Sequence, residues 1–295
     1  MNYKKINFKS PVHKLQKSVT NELLTNALQE CFNLCSFSTL PYKMYGFNSK
    51  ESIFKTGTGN CIAMTYFMKN WLVKNHHIDS YLIPCTIPKK YQKPEYLALS
   101  HVALAIPKSK DQVFIVDMAF YFCSPICVLL NDDQNTSRIR ASNIYLNKID
   151  TIVATTKKTT ETIVFNEFQK LPSNVFYSEC YSNDHVDDKW QYYLMNVVNP
   201  DAAISNFYLQ ISNPFITTTK YSSDRLSCQM NVYIKFTDNN QQVLVKIDGE
   251  NYYEGDPRLF TNSQFEDLAN AMGKFYDPNL PLYFKGKPMF NYFDF

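Results

Sequence analysis

Apolar residues recur along this chain with two different periods, and the change between them divides it. From 11 to 36, Val12, Leu15, Val19, Leu23, Leu24, Leu28 and Phe32 return at helical spacing and predict a helix or a helix pair. Leu40-Pro41 reads as its break, and 41–60 as an irregular link carrying Gly46, Gly57 and Gly59. The mostly apolar run from Cys61 to about Lys74 predicts a buried helix, with Asn60 as N-cap and His76-His77 closing it.

From Ile78 the period shortens. Tyr81 to Pro88 reads as a strand whose prolines place it at a sheet edge. Two strong strands follow, Leu97–Ile106 and Gln112–Phe120, with Pro107 to Asp111 turning between them in an antiparallel hairpin. Short strands are expected near 125–130, 143–146, 151–155 and 160–168, together a small barrel or strongly curved sheet. Residues 174–189 are polar and predict a loop, with His185 exposed. Helices are expected over Trp190–Asn199 and Asp201–Leu209. Strands near 215–221, 226–237 and 242–247 precede a helix from Thr261 to Met272 that ends at Gly273; the tail, 278–295, shows no regular pattern.

Two histidine and aspartate positions interrupt the apolar hairpin. His101 and Asp117 each sit inside a strand where an unpartnered polar group is costly, which implies that they satisfy each other. Direct opposition requires a turn of three or five residues centred on Ser109; an even turn would put the two side chains on opposite faces.

Composition adds limits more than it adds chemistry. With 295 residues the chain is long for one core, and two or three subdomains are expected. A net charge of +3 gives no reason to expect nucleic acid or an anionic membrane as partner. No signal-peptide pattern or membrane-spanning apolar run is present, so a cytoplasmic protein with mostly free thiols is expected. The Cys31/Cys35 and Cys123/Cys127 pairs have a loose spacing for zinc and no neighbouring histidine, and ordinary core cysteines are the expectation.

Glycine is scarce, seven in all, and two of the seven fall in Gly57-Thr58-Gly59-Asn60-Cys61. Such a turn places Cys61 in the first turn of a helix, where unpaired N–H groups and the positive end of the dipole favour a thiolate. Cysteine catalysis needs a thiolate, a histidine to move its proton and a third group to orient that histidine. Cys61, His101 and Asp117 are the candidate nucleophile, base and orienter.

With that order and spacing, the chain resembles the arylamine N-acetyltransferases, part of a wider transglutaminase-like cysteine group. The resemblance rests on Gly57-Thr58-Gly59-Asn60-Cys61, Ser100-His101-Val102-Ala103-Leu104 and Phe114-Ile115-Val116-Asp117-Met118-Ala119-Phe120, with weaker echoes in Asn206-Phe207-Tyr208, Asn213-Pro214-Phe215 and the late helix. It implies an α+β fold: a helical domain over 1–84 with the nucleophile, an antiparallel β-barrel over 85–198 with His and Asp, and an α/β lid over 199–295. It implies acyl transfer from acetyl-CoA or another acyl-CoA, through a Cys61 thioester, to a small amine, without a metal. The flanks depart from the family: Thr56, Gly57, Thr58 and Gly59 stand where Arg-Gly-Gly is usual, Ala63 where a Glu follows, and Ala119-Phe120-Tyr121 where Gly-Phe-Gly follows the aspartate. A cysteine hydrolase, deamidase or transglutaminase-like enzyme with the same triad, or an inactive binding relic of the fold, remain the other readings.

Overall fold

The computed structural model describes residues 4–5, 19–86, 101–109, 111–129, 134–143, 148–158, 163–164, 170–171, 176–182, 185–194, 196–197, 215–222, 227–237 and 241–286. The chain opens with β1 (Lys4–Lys5), α1 (Asn21–Leu34) and β2 (Ser36–Ser38). Residues 11–18 of the expected first helix lie outside the described residues. The expected irregular link holds two short helices, α2 (Leu40–Tyr45) and α3 (Ser49–Thr56). Pro41 starts α2 instead of breaking a helix, since its fixed φ and missing N–H suit a first turn. Asn48 and Glu51 form a reciprocal capping box on α3, and Gly57, at φ +67°, ends it in the left-handed conformation. Then β3 (Thr58–Gly59) leads directly into α4 (Cys61–His76), capped by Asn60 and ended by a left-handed His77.

An eight-stranded antiparallel sheet is built from β4 (Tyr81–Cys85), β5 (His101–Pro107), β6 (Gln112–Val116), β7 (Ile126–Leu129), β8 (Gln134–Asn143), β9 (Lys148–Lys158), β12 (Phe176–Ser182) and β13 (His185–Leu194). The short strands β10 (Ile163–Val164) and β11 (Lys170–Leu171) pair with each other, as do β1 and β14 (Asn196–Val197). The ladder order is β7-β6-β5-β4-β13-β12-β9-β8. Its two ends are consecutive in the chain: Leu129 and Gln134 are five residues apart, a reach of at most about 18 Å. The sheet therefore curls until β7 lies against β8, yet no ladder joins them among the described residues. Of the expected small barrel or strongly curved sheet, the described residues therefore form the second, a curled sheet without a closing ladder.

Three further expectations are corrected here. Where a loop over 174–189 and a helix over 190–199 were expected, the described residues are strands, chiefly the β12–β13 hairpin, whose sequence includes the aromatic strand formers Trp190, Tyr192 and Tyr193. The β4 strand is inside the ladder order, not at an edge; among the described residues its link to β13 is the Tyr193–Cys85 pairing, which does not involve Pro84. The tail contains a short helix, Leu280–Phe284. The expected helix over 201–209 lies outside the described residues.

A second, six-stranded sheet joins the two ends of the chain. It comprises β15 (Phe215–Ser222), β16 (Ser227–Phe236), β17 (Val243–Ile247) and β18 (Glu250–Gly255), in the order β18-β17-β16-β15-β2-β3. The β15 strand pairs with β2, and β2 runs parallel to β3, so the C-terminal strands brace the two residues that precede Asn60 and Cys61. On this sheet pack α5 (Asn262–Met272), with the expected Thr261 cap and Gly273 end, and α6 (Leu280–Phe284).

Two cores follow from these layers. One lies between α1, α4 and the β4–β6 face, with Leu28, Phe32, Ile62, Met68, Leu104 and Val116 fully or almost fully buried. The other joins Val232, Ile234, Phe236 and Val245 to Phe265, Leu268 and Phe284. The seven cysteines with described side chains are all free thiols. Cys35 bonds back to the Cys31 carbonyl and Cys127 accepts from Gln112, which are packing uses. Among the described residues, no helix is long and apolar enough to cross a membrane.

Candidate active site

Cys61 is the first residue of α4 and is half-buried. The approach to it is set by Gly59. A Cβ on Gly59 would lie 2.3 Å from the Ala63 Cβ and 3.2 Å from the Tyr42 hydroxyl, so β3 reaches the helix start only because residue 59 has no side chain.

The first turn of α4 has orphan N–H groups to satisfy. Asn60 Oδ1 accepts from Ala63 N–H at 3.1 Å, and the Asn60 carbonyl accepts from Met64 N–H at 3.0 Å. The N–H groups of Cys61 and Ile62 have no hydrogen-bond partner among the described residues. Two donors and the positive helix end are thus left beside the thiol.

His101 opens β5 and is 1% exposed; Asp117 follows β6 and is 0% exposed. His101 Nε2 and Asp117 Oδ2 are 2.7 Å apart. The histidine N–H donates to the carboxylate, which leaves Nδ1 as the nitrogen available to Cys61, its other hydrogen-bonding partner. Burial alone would push His101 down, but the Asp117 carboxylate and then Cys61 more than offset it and raise it to about 10. The Phe120 ring stands edge-on to the imidazole with centroids 4.9 Å apart.

The expected pairing is right in parity and off by one step. The hairpin register runs from Leu104–Val116 to Pro107–Val113, so five residues separate the last pair, and the two side chains share a face. Asp117 is diagonal to His101, not opposite it. The strand expected to reach Phe120 stops at Val116 because Asp117 makes its own turn: Oδ1 accepts from Phe120 N–H at 3.2 Å, and its carbonyl accepts from Phe122 N–H at 3.0 Å. That turn carries Tyr121 at φ +51°, a left-handed residue held by burial against Phe32, with ring centroids 5.5 Å apart.

The three residues singled out in the sequence therefore come together. Sequence reasoning missed the polar residues behind the Cys61 turn, Tyr42, Ser49 and Ser52, because it read their helices as irregular chain; the Asn48-x-x-Glu51 signature was the available signal.

A scan against protein-family models and a search of curated proteins give no match. Solved structures do match. An arylamine N-acetyltransferase from Mycobacterium abscessus superposes with a TM-score of 0.55 at 9% identity, covering 95% of this chain and 91% of that one. One from Bacillus cereus, with a Cys-His-Glu catalytic triad, gives 0.53 at 15% identity over 85% and 90%. One from Bacillus anthracis gives 0.51 at 14% over 90% and 95%. At these identities the likeness is one of fold, and it extends over nearly the whole chain.

Two outcomes are expected. Because folded His101 holds its proton more tightly than the unfolded chain, the pair stabilises the fold fully below about pH 6.5 and loses that contribution as pH rises toward about 10. Urea unfolding of Asp117→Asn should therefore show a stability deficit that is larger near neutral pH than near pH ~10; a deficit independent of pH contradicts the pairing. Gly59→Ala should lower thermal stability, and Ala63→Gly added to it should restore much of the loss.

Proposed function

We propose that this chain is a thioester-forming acyltransferase of the arylamine N-acetyltransferase type, with Cys61 as nucleophile, His101 as acid and base, and Asp117 as the group that orients His101. The observation that carries the reading is the buried His101, bonded through Nε2 to Asp117 and in reach of a thiol at a helix start, in a fold like that of those enzymes.

In this reading the Cys61 proton resides on His101. The thiolate attacks the thioester carbonyl of an acyl-CoA, and the carbonyl oxygen takes up negative charge between the free N–H groups of Cys61 and Ile62. Collapse breaks the carbon–sulfur bond to coenzyme A, whose sulfur leaves with the proton from His101. A small amine then attacks the acyl-cysteine, His101 accepts the amine proton, and the amide departs as Cys61 sulfur is released. Asp117 fixes the histidine tautomer and stabilises the imidazolium throughout. Ala63, standing where the family usually carries a carboxylate, bears on the choice of acyl donor and acceptor and not on this chemistry.

Incubation with acetyl-CoA followed by intact-mass measurement should show one added acetyl group, absent in Cys61→Ala and transferred when an arylamine is supplied. Asp117→Asn should slow formation by roughly 100- to 10,000-fold. No adduct with a chain that binds coenzyme A, or no coenzyme A binding at all, contradicts the acyl-CoA donor; the second result is the one expected of an amide hydrolase.

A further inference from the structure

Behind the Cys61 turn lies a closed ring of three hydrogen bonds. Tyr42 Oη donates to Ser49 Oγ at 3.3 Å, Ser49 Oγ donates to Asn60 Oδ1 at 3.1 Å, and Asn60 N–H donates back to Tyr42 Oη at 3.0 Å. Each hydroxyl has one hydrogen, and this direction uses each once, so the ring closes without an unmet donor. Tyr42 is 8% exposed, Ser49 0% and Asn60 6%. Ser52 Oγ extends the set by donating to the Thr58 carbonyl at 2.6 Å.

Buried hydroxyls in a hydrophobic setting cost stability unless paired, and their bonds strengthen one another when they form a chain. This ring does one thing that apolar packing would not. It joins α2 through Tyr42, α3 through Ser49 and the cap of α4 through Asn60, and so fixes the peptide immediately before Cys61. It also occupies both faces of Asn60: Oδ1 is held by Ser49 while it caps Ala63, and the backbone N–H is held by Tyr42. The amides of Cys61 and Ile62 are what remains. The absence of a side chain on Gly59 lets β3 come close enough for the ring to form, since a Cβ there would meet the Tyr42 hydroxyl. Burial, with a contribution from the nearby Cys61 charge, pushes the Tyr42 phenol up to about 12, so it stays a neutral donor.

We propose that Tyr42 is a positioning residue for Cys61: acting through Ser49 and Asn60, it fixes the first turn of α4 so that Sγ meets His101 and the two free N–H groups point at the same reacting carbonyl. The proposal rests on the reading of Cys61 as the nucleophile. The phenol does not touch the reacting atoms; its effect passes through one peptide unit. Small displacements of a reacting group cost up to about 100-fold in rate, and the ring controls a displacement of that kind.

The test is the rate of Cys61 alkylation by iodoacetamide, resolved by peptide mass against the other thiols and followed across pH. Tyr42→Phe removes the hydroxyl that closes the hydrogen-bonded ring and keeps the aromatic side chain; Ser49→Ala opens the same cycle elsewhere. Both should slow Cys61 alkylation about 10-fold at neutral pH and move its profile to higher pH, and the double variant should be little slower than either alone. Thr261→Ala, which removes the cap of distant α5, should lower the melting temperature and leave the alkylation profile in place. If Tyr42→Phe and Ser49→Ala lower the melting temperature but their profiles overlay that of the wild type, the ring is a structural device only and the proposal is wrong. If wild-type Cys61 reacts no faster than the remaining thiols, the nucleophile reading fails and takes this proposal with it.

Discussion

The hydrogen bond between His101 and Asp117 is the constraint around which the rest of the molecule is arranged. Neither side chain reaches water. Alone, either would cost several kcal/mol, on the order of what a whole domain has to spare. The pair is tolerable only if the hairpin keeps both on one face and if Asp117 has further donors, which the Phe120 N–H supplies. The strand end at Val116, the strained Tyr121 and the packing of Phe32 on Tyr121 all serve that turn. The third partner, Cys61, comes from a different layer and approaches the histidine from its other nitrogen.

That approach depends on a second, smaller constraint. A helix start must be delivered to His101 with its amides free, and the chain does so by running β3 against α4 without a side chain at 59. The six-stranded sheet makes this delivery a property of the whole fold. Because β15 pairs with β2 and β2 with β3, the C-terminal strands support the segment before Cys61, and their own core of Phe236, Phe265 and Phe284 rings stiffens that support. The curled sheet holds His101 and Asp117, and the six-stranded sheet holds the helix start that meets them.

Much of this was legible because the polar residues concerned interrupt strong apolar patterns. His101 and Asp117 stand out in strands that are otherwise buried throughout, and Asn60 and Gly59 announce a helix start. The long periodic elements were legible for the same reason: α1, α4, α5 and the β15–β17 strands lie close to their expected places. What was not legible is short or locally determined. Two helices of six and eight residues carry little periodicity, so Pro41 read as a break and the capping box at Asn48 passed unread. The β12–β13 hairpin alternates weakly, and its mixed charges and aromatics suit a helix face as well as a strand until a partner strand is present. The diagonal placement of Asp117 is set by its own carboxylate capturing an amide, which no alternation pattern encodes. The curl of the eight-stranded sheet is a consequence of ladder order, and that order is a long-range property.

The central claim is that a buried imidazolium, held by Asp117 and facing Cys61, exists in the resting protein. Nitrogen-15 NMR of the His101 ring across pH tests it most directly, with Cys61→Ala and Asp117→Asn as references. Wild-type His101 should keep its proton through neutral pH and lose it near about 10, with the transition moving down in both variants. A His101 ring that is neutral at pH ~7 in the wild type, or a transition near its ordinary value of about 6.5 that neither variant moves, would contradict it.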